Sequence, residues 1–330
     1  MNKFYKLFIV LLMLQCGLRG QDMHFTQFYA SPLYLNPAFA GADVCGRASI
    51  TYRNQWPGIY KTYKSYLASI DHYFQNQNIG AGLLVASDVA GSGNLRTTLI
   101  DPMISYQFKI DRHTMIRAAI QPGIGMRSID FNSLVFGDQI GRGGNVPTVE
   151  TPTTSKTYFD VGCGALLFTK DYWAGFSAYH LNRPDESLTG VEGATLPIRF
   201  TLHGGYKYLL SEDAKDESEV KSVTGVFHYR HENNFDQLDI GAYYSHGHIS
   251  LGAWYRGIPF KHYKPGYRNV DAIALIAGFK TKRANIGYSF DVTVSQLAGF
   301  TKGAHEVTLS YQLCKPGKKK KKIAVPCPKF

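Results

Sequence analysis

Pro197-Ile198-Arg199-Phe200-Thr201-Leu202-His203-Gly204-Gly205-Tyr206-Lys207-Tyr208-Leu209-Leu210 alternates in character with a period of two. In an extended chain Ile198, Phe200, Leu202, Gly204, Tyr206 and Tyr208 share one face, while Arg199, Thr201, His203 and Lys207 share the other. The stretch therefore predicts a strand with one apolar and one polar side. Two later stretches repeat it. From Asn285 to Val294, Ile286, Tyr288, Phe290, Val292 and Val294 oppose Asn285, Ser289, Asp291 and Thr293. From Glu306 to Leu313, Val307, Leu309, Tyr311 and Leu313 oppose Glu306, Thr308, Ser310 and Gln312.

Soluble sandwiches alternate in the same way, so the number of strands and the spacing of their connections discriminate. Strands are expected near 46–56, 62–73, 78–90, 95–110, 112–128, 156–169, 171–182, 197–210, 220–234, 235–247, 248–258, 267–281, 282–294 and 303–313, fourteen in all. Most are ten to fourteen residues long, where a tilted strand needs about 9–11 to cross a membrane and soluble strands average about 5–6. Long connections at 129–155, 183–196, 259–266 and 295–302 alternate with short ones at Ile110-Asp111-Arg112, Thr169-Lys170-Asp171 and Thr281-Lys282. An even strand count with long outer loops and short periplasmic turns is the pattern of an outer-membrane barrel. The fold class expected is all-β, a transmembrane antiparallel β-barrel of about 14 strands. The turn from Ser211 to Glu219 departs from the pattern, being longer and acidic; a solvated charge run and a periplasmic contact are both open.

Composition agrees. Tyr (22), Phe (20) and Gly (33) are abundant while charged residues make up only 18%, below the quarter usual in soluble domains. Asn2-Lys3-Phe4-Tyr5-Lys6 followed by the apolar run Leu7 to Leu14 is expected to be a signal peptide, residues 1–20. Cys16 raises a lipoprotein alternative, but Gln15 stands where a small residue is wanted. Lys3, Lys6 and Arg19 leave with the signal, taking the net charge from +11 to +8. Seven of the remaining positive charges are Lys315, Lys318, Lys319, Lys320, Lys321, Lys322 and Lys329, so the body is near +1. A nucleic-acid-binding body, which needs a basic face spread over the fold, is excluded.

Between signal and first strand lies a segment, Gln21 to Gly41, dense in aromatics and closed by the turn signals Asn36-Pro37 and Ala40-Gly41. Its aromatics demand burial, so 21–45 is expected to be an ordered N-terminal arm or plug, in the lumen or under the periplasmic rim. The barrel is expected over 46–313 and a basic periplasmic tail over 314–330.

The run Asn36, Pro37, Ala38, Phe39, Ala40, Gly41 and the strand Tyr52, Arg53, Asn54, Gln55, Trp56 resemble the start of the PorP/SprF family of type IX secretion outer-membrane proteins. The closing strand Gly303 to Tyr311 and the tail ending Cys327, Pro328, Lys329, Phe330 are similar to the same family, whereas 129–196 matches no motif. The resemblance implies a non-enzymatic role in export of large surface adhesins or gliding components, with one secreted adhesin-like cargo and with type IX components in the periplasm and outer membrane as partners. It places the protein in the outer membrane, with N- and C-termini in the periplasm.

Other readings of the residues remain. His228, His231, His246 and His248 crowd one stretch beside Asp236 and Asp239, and His246 and His248 are expected on one face of a strand, where a metal can use both. No third ligand or serine-centred motif accompanies them. Interfacial histidines are the simpler reading, and no catalytic, cofactor or metal site is expected. Inward Arg199, Lys207, Arg230, Asp239, Arg256 and Asp291 either line a channel or pair to plug the lumen, the second being favoured. A channel lining corresponds to the alternative function, an outer-membrane transporter or porin for a small hydrophobic or polar solute. Lys318 to Lys322 with Cys327, Pro328, Lys329 and Phe330 form a candidate partner-binding tail, for anionic lipid or an acidic periplasmic face. Cys314 and Cys327 bracket it and either pair or stay free; Cys45 and Cys163 fit no metal spacing.

Overall fold

The computed structural model describes residues 22–43, 46–143, 146, 148–149, 154–188, 194–211, 219–264, 267–295 and 298–313. The expected signal peptide, the basic tail with Cys314 and Cys327, Cys45, and most of the acidic turn lie outside the described residues.

Fourteen strands close into one antiparallel barrel, each pairing with its sequence neighbour and the last with the first. They are β1 (Arg47–Gln55), β2 (Tyr63–Phe74), β3 (Ile79–Ala90), β4 (Leu95–Lys109), β5 (Met115–Ser128), β6 (Ser155–Phe168) and β7 (Tyr172–Tyr179). Then follow β8 (Arg199–Leu209), β9 (Lys221–Glu232), β10 (Phe235–His246), β11 (Ile249–Lys264), β12 (Tyr267–Lys280), β13 (Ala284–Thr293) and β14 (Ala304–Gln312). The expected barrel is borne out, count included. Closure pairs Arg47 with Gln312 and Gln55 with Ala304, leaving no open edge for lipid to meet.

The alternation explains the construction. On β13 and β14 the buried positions are Asn285, Gly287, Ser289, Asp291, Ala304, Glu306, Thr308 and Ser310, and the exposed ones include Ile286, Tyr288, Val307 and Leu309. Polar residues face in and apolar ones face out, the reverse of a soluble sheet, as a barrel in hydrocarbon requires. Cys163 sits on the outward side of β6.

One expected loop is wrong. β11 continues through Gly257 to Lys264, so 259–264 is strand rather than connection. Pro259 reads as a turn residue, but the ladder there is irregular, with register shifts at Arg256/Gly257 and on to His262. A strand tolerates proline at such breaks. Gly257, at φ +151, takes a backbone conformation no side chain favours, and a Cβ there would come 2.5 Å from the Asn269 carbonyl.

The connections define two ends. The turns 75–78, 110–114, 169–171, 247–248 and 281–283 lie at the end where β1 begins and β14 finishes, called here the turn end. The connections 129–154 and 180–198 lie at the opposite, loop end.

The lumen is filled. Residues 22–43 run through it, and from Phe25 to Leu33 and Leu35 to Asp43 every residue is buried. Asp22 meets His180, Arg199 and Glu232, where β7, β8 and β9 adjoin the loop end. Twenty residues later Gly41 meets Asp71 and Asp43 meets Gln312, at the turn end. The arm thus threads the barrel from end to end, and its first described residue lies opposite the barrel's own chain ends.

Candidate functional site

Both sequence motifs lie where the arm meets the wall. Arg53 projects inward from β1 and is 2% exposed. Its Nη1 donates to Thr26 Oγ1 (2.8 Å) and Glu306 Oε2 (3.0 Å), and its Nη2 to Asp291 Oδ2 (2.8 Å). From β11, Arg256 donates to Asp239 Oδ1 (2.9 Å), Asp291 Oδ2 (2.9 Å) and Thr26 Oγ1 (2.9 Å). The Thr26 hydroxyl donates in turn to Asp291, and the backbone N–H groups of Thr26 and Gln27 donate to Glu306 at 2.7 and 2.8 Å. Two guanidiniums balance three carboxylates, and arm N–H groups satisfy the remaining oxygens. Such a buried network holds only while complete, because removing one partner leaves a bare charge in low dielectric.

Below it is an aromatic layer. Phe28 packs on His228 (centroids 4.5 Å) and Trp254 (4.7 Å), and Tyr29 meets Trp173 edge-on at 5.3 Å while its hydroxyl donates to the Gly204 carbonyl. Large amphipathic rings fill a lumen well because their polar tips still find partners.

The run Asn36 to Gly41 seals the turn end. Asn36 caps the 3₁₀ turn Pro37–Phe39, its Oδ1 accepting from Ala38 N–H at 2.9 Å. Its Nδ2 donates to the wall carbonyls of Ala165 (3.0 Å) and Phe176 (3.1 Å). That reach needs glycine in the wall: a Cβ on Gly164 would lie 2.1 Å from Asn36 Oδ1. Ala38, Phe39 and Ala40 are fully buried. The Ala40 carbonyl accepts from Ser105 Oγ (2.7 Å) and Arg117 Nη1 (2.9 Å), and Gly41 N–H donates to Asp71 (2.9 Å). Gly41 holds φ +68 with its Cα region against Gly80, where a Cβ would fall 2.0 Å from the Ala40 carbonyl.

The second motif divides between faces. Tyr52 and Asn54 point outward, Tyr52 against Tyr66 (5.1 Å), while Arg53 and Gln55 point inward. Trp56 ends the strand, donates its N–H to the Gly303 carbonyl and meets Tyr63 edge-on at 5.9 Å.

At the loop end the arm is clamped by charge. Asp22 Oδ2 lies 2.8 Å from His180 Nε2 and 2.5 Å from Arg199 Nη1, and His180 Nδ1 lies 2.9 Å from Asp160. Burial pushes the His180 imidazole down, but the flanking Asp22 and Asp160 carboxylates outweigh it and carry the group up to about 10. The Arg199 guanidinium lies over the Tyr179 ring at 4.1 Å. Beside this clamp a vestibule of about 400 Å³ is left between arm residues 22–24 and the inward faces of β1 to β6.

The histidine grouping is dispersed. His246 ends β10 and His248 lies in the following turn, so they do not share a strand face. His228 points inward to Asp239 (3.3 Å), whereas His231 points outward to Asp236 (2.6 Å). Among the described residues no group of three His, Cys, Asp or Glu is placed to hold a metal. Of the inward charges, Arg199, Arg230, Asp239, Arg256 and Asp291 all have ionic partners in the lumen, and Lys207 stays half-buried near the turn end. Sequence reasoning missed Thr26, Gln27, Asp22, Asp160 and His180. Only the density of aromatics around the first three pointed to burial.

A family model described as the type IX secretion system membrane protein PorP/SprF matches residues 18–311, spanning both motifs and the whole barrel. The chain belongs to the PorP/SprF family. Comparison with curated proteins returns no significant match. Among solved structures, the Pseudomonas putida toluene transporter TodX is similar at TM-score 0.47 and 11% identity, over 84% of this chain and 92% of that one. The KdgM porin is similar at TM-score 0.38 and 9% identity, over 81% and 99%. By that family match and its closed fourteen-stranded barrel, this PorP/SprF chain is an outer-membrane β-barrel of the type IX secretion membrane family.

Proposed function

We propose that this PorP/SprF protein is a non-enzymatic scaffold: it binds a secreted surface-protein cargo at the outer membrane and couples to type IX components in the periplasm. The observation that carries the reading is the covalent plug. The Asn36–Gly41 seal and the Arg53 network hold the arm with buried hydrogen bonds and ion pairs throughout. A lumen closed in this way leaves no open path for passive diffusion, which favours work at the rims over a porin's role. By the convention that short turns face the periplasm, the turn end and the basic tail Lys318–Lys322 with Cys327, Pro328, Lys329 and Phe330 face the periplasmic partners. Asp22 then faces outward at the loop end, so the periplasm holds the ends of the barrel but not the start of the arm.

A deletion strain tests this. It should lose one surface protein while small-molecule uptake stays unchanged. Crosslinking in detergent-solubilised membranes should recover secretion components, with crosslinks concentrated in the lysine tail. Truncation from Lys315 onward should abolish those crosslinks and leave barrel insertion intact. Loss of an uptake activity with normal surface proteins would instead establish the transporter.

A further inference from the structure

Most inward-facing side chains of this barrel are spent on the arm, but one group at the loop end is not. The vestibule of about 400 Å³ lies within the size of small-ligand sites, roughly 300–1,000 Å³. Tyr63, Asp88, Leu95, Thr97 and Leu99 all point inward yet keep part of their surface exposed, because the arm passes along the opposite wall. Trp56, Tyr63 and Tyr158 supply aromatic surface around it.

Its charges are unevenly matched. Arg127 is paired with Glu186, and both His180 and Arg199 are held by Asp22. The bases bordering the vestibule are therefore engaged. His24 adds an imidazole, which sits 3.4 Å from Gln237 Nε2. Asp88 has no cation within ion-pair distance among the described residues; its hydrogen bond is from Ser65 Oγ at 2.5 Å. Beneath it, a hollow of about 10 Å³ shares Asp22, Leu99 and His180 with the vestibule and is lined by Asp101. Asp101 is 4% exposed, and among the described residues nothing donates a hydrogen bond to it or pairs with it. Buried carboxyl groups without partners are rare and costly; Asp101 is one, in the adjoining hollow, and Asp88, half-buried in the vestibule wall, has a hydroxyl but no cation beside it.

We propose that this vestibule is a binding site for an organic cation, an ammonium or guanidinium group entering from the loop end, with Asp88 as its counter-ion and the rings of Trp56, Tyr63 and Tyr158 packed around it. Carboxylate and aromatic face together suit such a group better than a hydrated metal ion, because the rings attract a weakly hydrated cation through their quadrupoles. The group arrives either on a basic side chain of a polypeptide or as a free small amine.

The chain supplies its own reporter. Of its three tryptophans, Trp173 and Trp254 are only 2% exposed, which leaves Trp56 as the ring in reach of a ligand. Purified full-length protein in detergent is titrated with N-acetylated, C-amidated Gly-Gly-Lys-Gly-Gly and Gly-Gly-Arg-Gly-Gly, with the identically blocked norleucine and glutamate peptides as controls, while Trp56 emission is followed. A saturable change is expected with the two basic peptides only, weakened about tenfold by Asp88→Asn, a change of about 1.4 kcal/mol. Equal response to the norleucine or glutamate peptide, or an unchanged affinity in Asp88→Asn, overturns the proposal. Where Asp88→Asn does not fold, wild-type protein is titrated at about 0.05 and 0.5 M salt; salt-independent binding overturns it as well. Cadaverine separates the sources: binding as tight as the lysine peptide assigns the site to a free amine, and weaker binding assigns it to a polypeptide side chain. None of these outcomes depends on cargo export, so the site and the secretion reading stand or fall separately.

Discussion

The two ends of the lumen are closed by different physics. At the turn end, Asn36 to Gly41 is held by backbone carbonyls, glycine clearances and fully buried small side chains. Toward the loop end, the arm is held by ion pairs: first the Arg53 and Arg256 network, then the Asp22 clamp, with open space beside it. The first arrangement is mainly shape, with Arg117 and Asp71 hydrogen-bonding the backbone of Ala40 and Gly41. The second is charge, and it leaves a chamber that solvent and ligands can enter. One chain therefore carries a permanent seal and an adjustable mouth, which suits a protein that works at its rims rather than through its pore.

Removing Arg53 should break the comparison most severely. Arg53→Met leaves Glu306 without its cation and Asp291 with Arg256 alone. A loss of about 3–5 kcal/mol is expected, the usual cost of orphaning a buried charge, read as a lowered unfolding midpoint in denaturant. An unchanged midpoint would mean that the network contributes nothing to holding the arm. Asn36→Ala comes next, because it strands the Ala165 and Phe176 carbonyls and removes the cap of the 3₁₀ turn. About 1–3 kcal/mol is expected, with single-channel current appearing in planar bilayers as the seal loosens. Gly80→Ala should cost a similar amount. Its Cβ would meet the Ala40 carbonyl at 2.0 Å, and crowding of this kind costs about 1–3 kcal/mol, less where the backbone can shift. Protease sensitivity should rise at 36–43 and stay unchanged at 22–27, and the reverse pattern would show that the two ends are not independent.

Much of this architecture was legible because a barrel wall is a one-sided surface. Thirteen of the fourteen strands were expected within a few residues of their positions, since polar Asn285, Ser289 and Asp291 can only face in when Ile286, Tyr288 and Phe290 face out. β11 was cut short because Pro259 signals a turn, and no local feature announces the register shift that accommodates it. The route of the arm was not legible at all. Thr26 finds Glu306 across 280 positions, and nothing near Thr26 in the chain marks that carboxylate as its partner. The inward charges were visible as a set, whereas their pairing depends on which strands curl to face one another. His180 was invisible because it adjoins no periodic pattern; it follows β7 at φ +58 and owes its role to Asp22 and Asp160 alone.

The clamp that His180 makes should titrate. Its imidazole is raised from an ordinary 6.5 to about 10 by the Asp22 and Asp160 carboxylates, against the opposing pull of burial. A value raised by folding means that the charged ring stabilises the folded arrangement. That contribution is complete below the ordinary imidazole value and is lost as pH climbs through about 10. The clamp should hold across neutral pH and release on the alkaline side, turning Asp22 toward the vestibule that Trp56 also borders. Trp56 emission should therefore show a step near pH 10. Tyrosines ionise in the same range, so His180→Gln is the control. If the step survives in that variant, tyrosine ionisation explains it and His180 is not the titrating group.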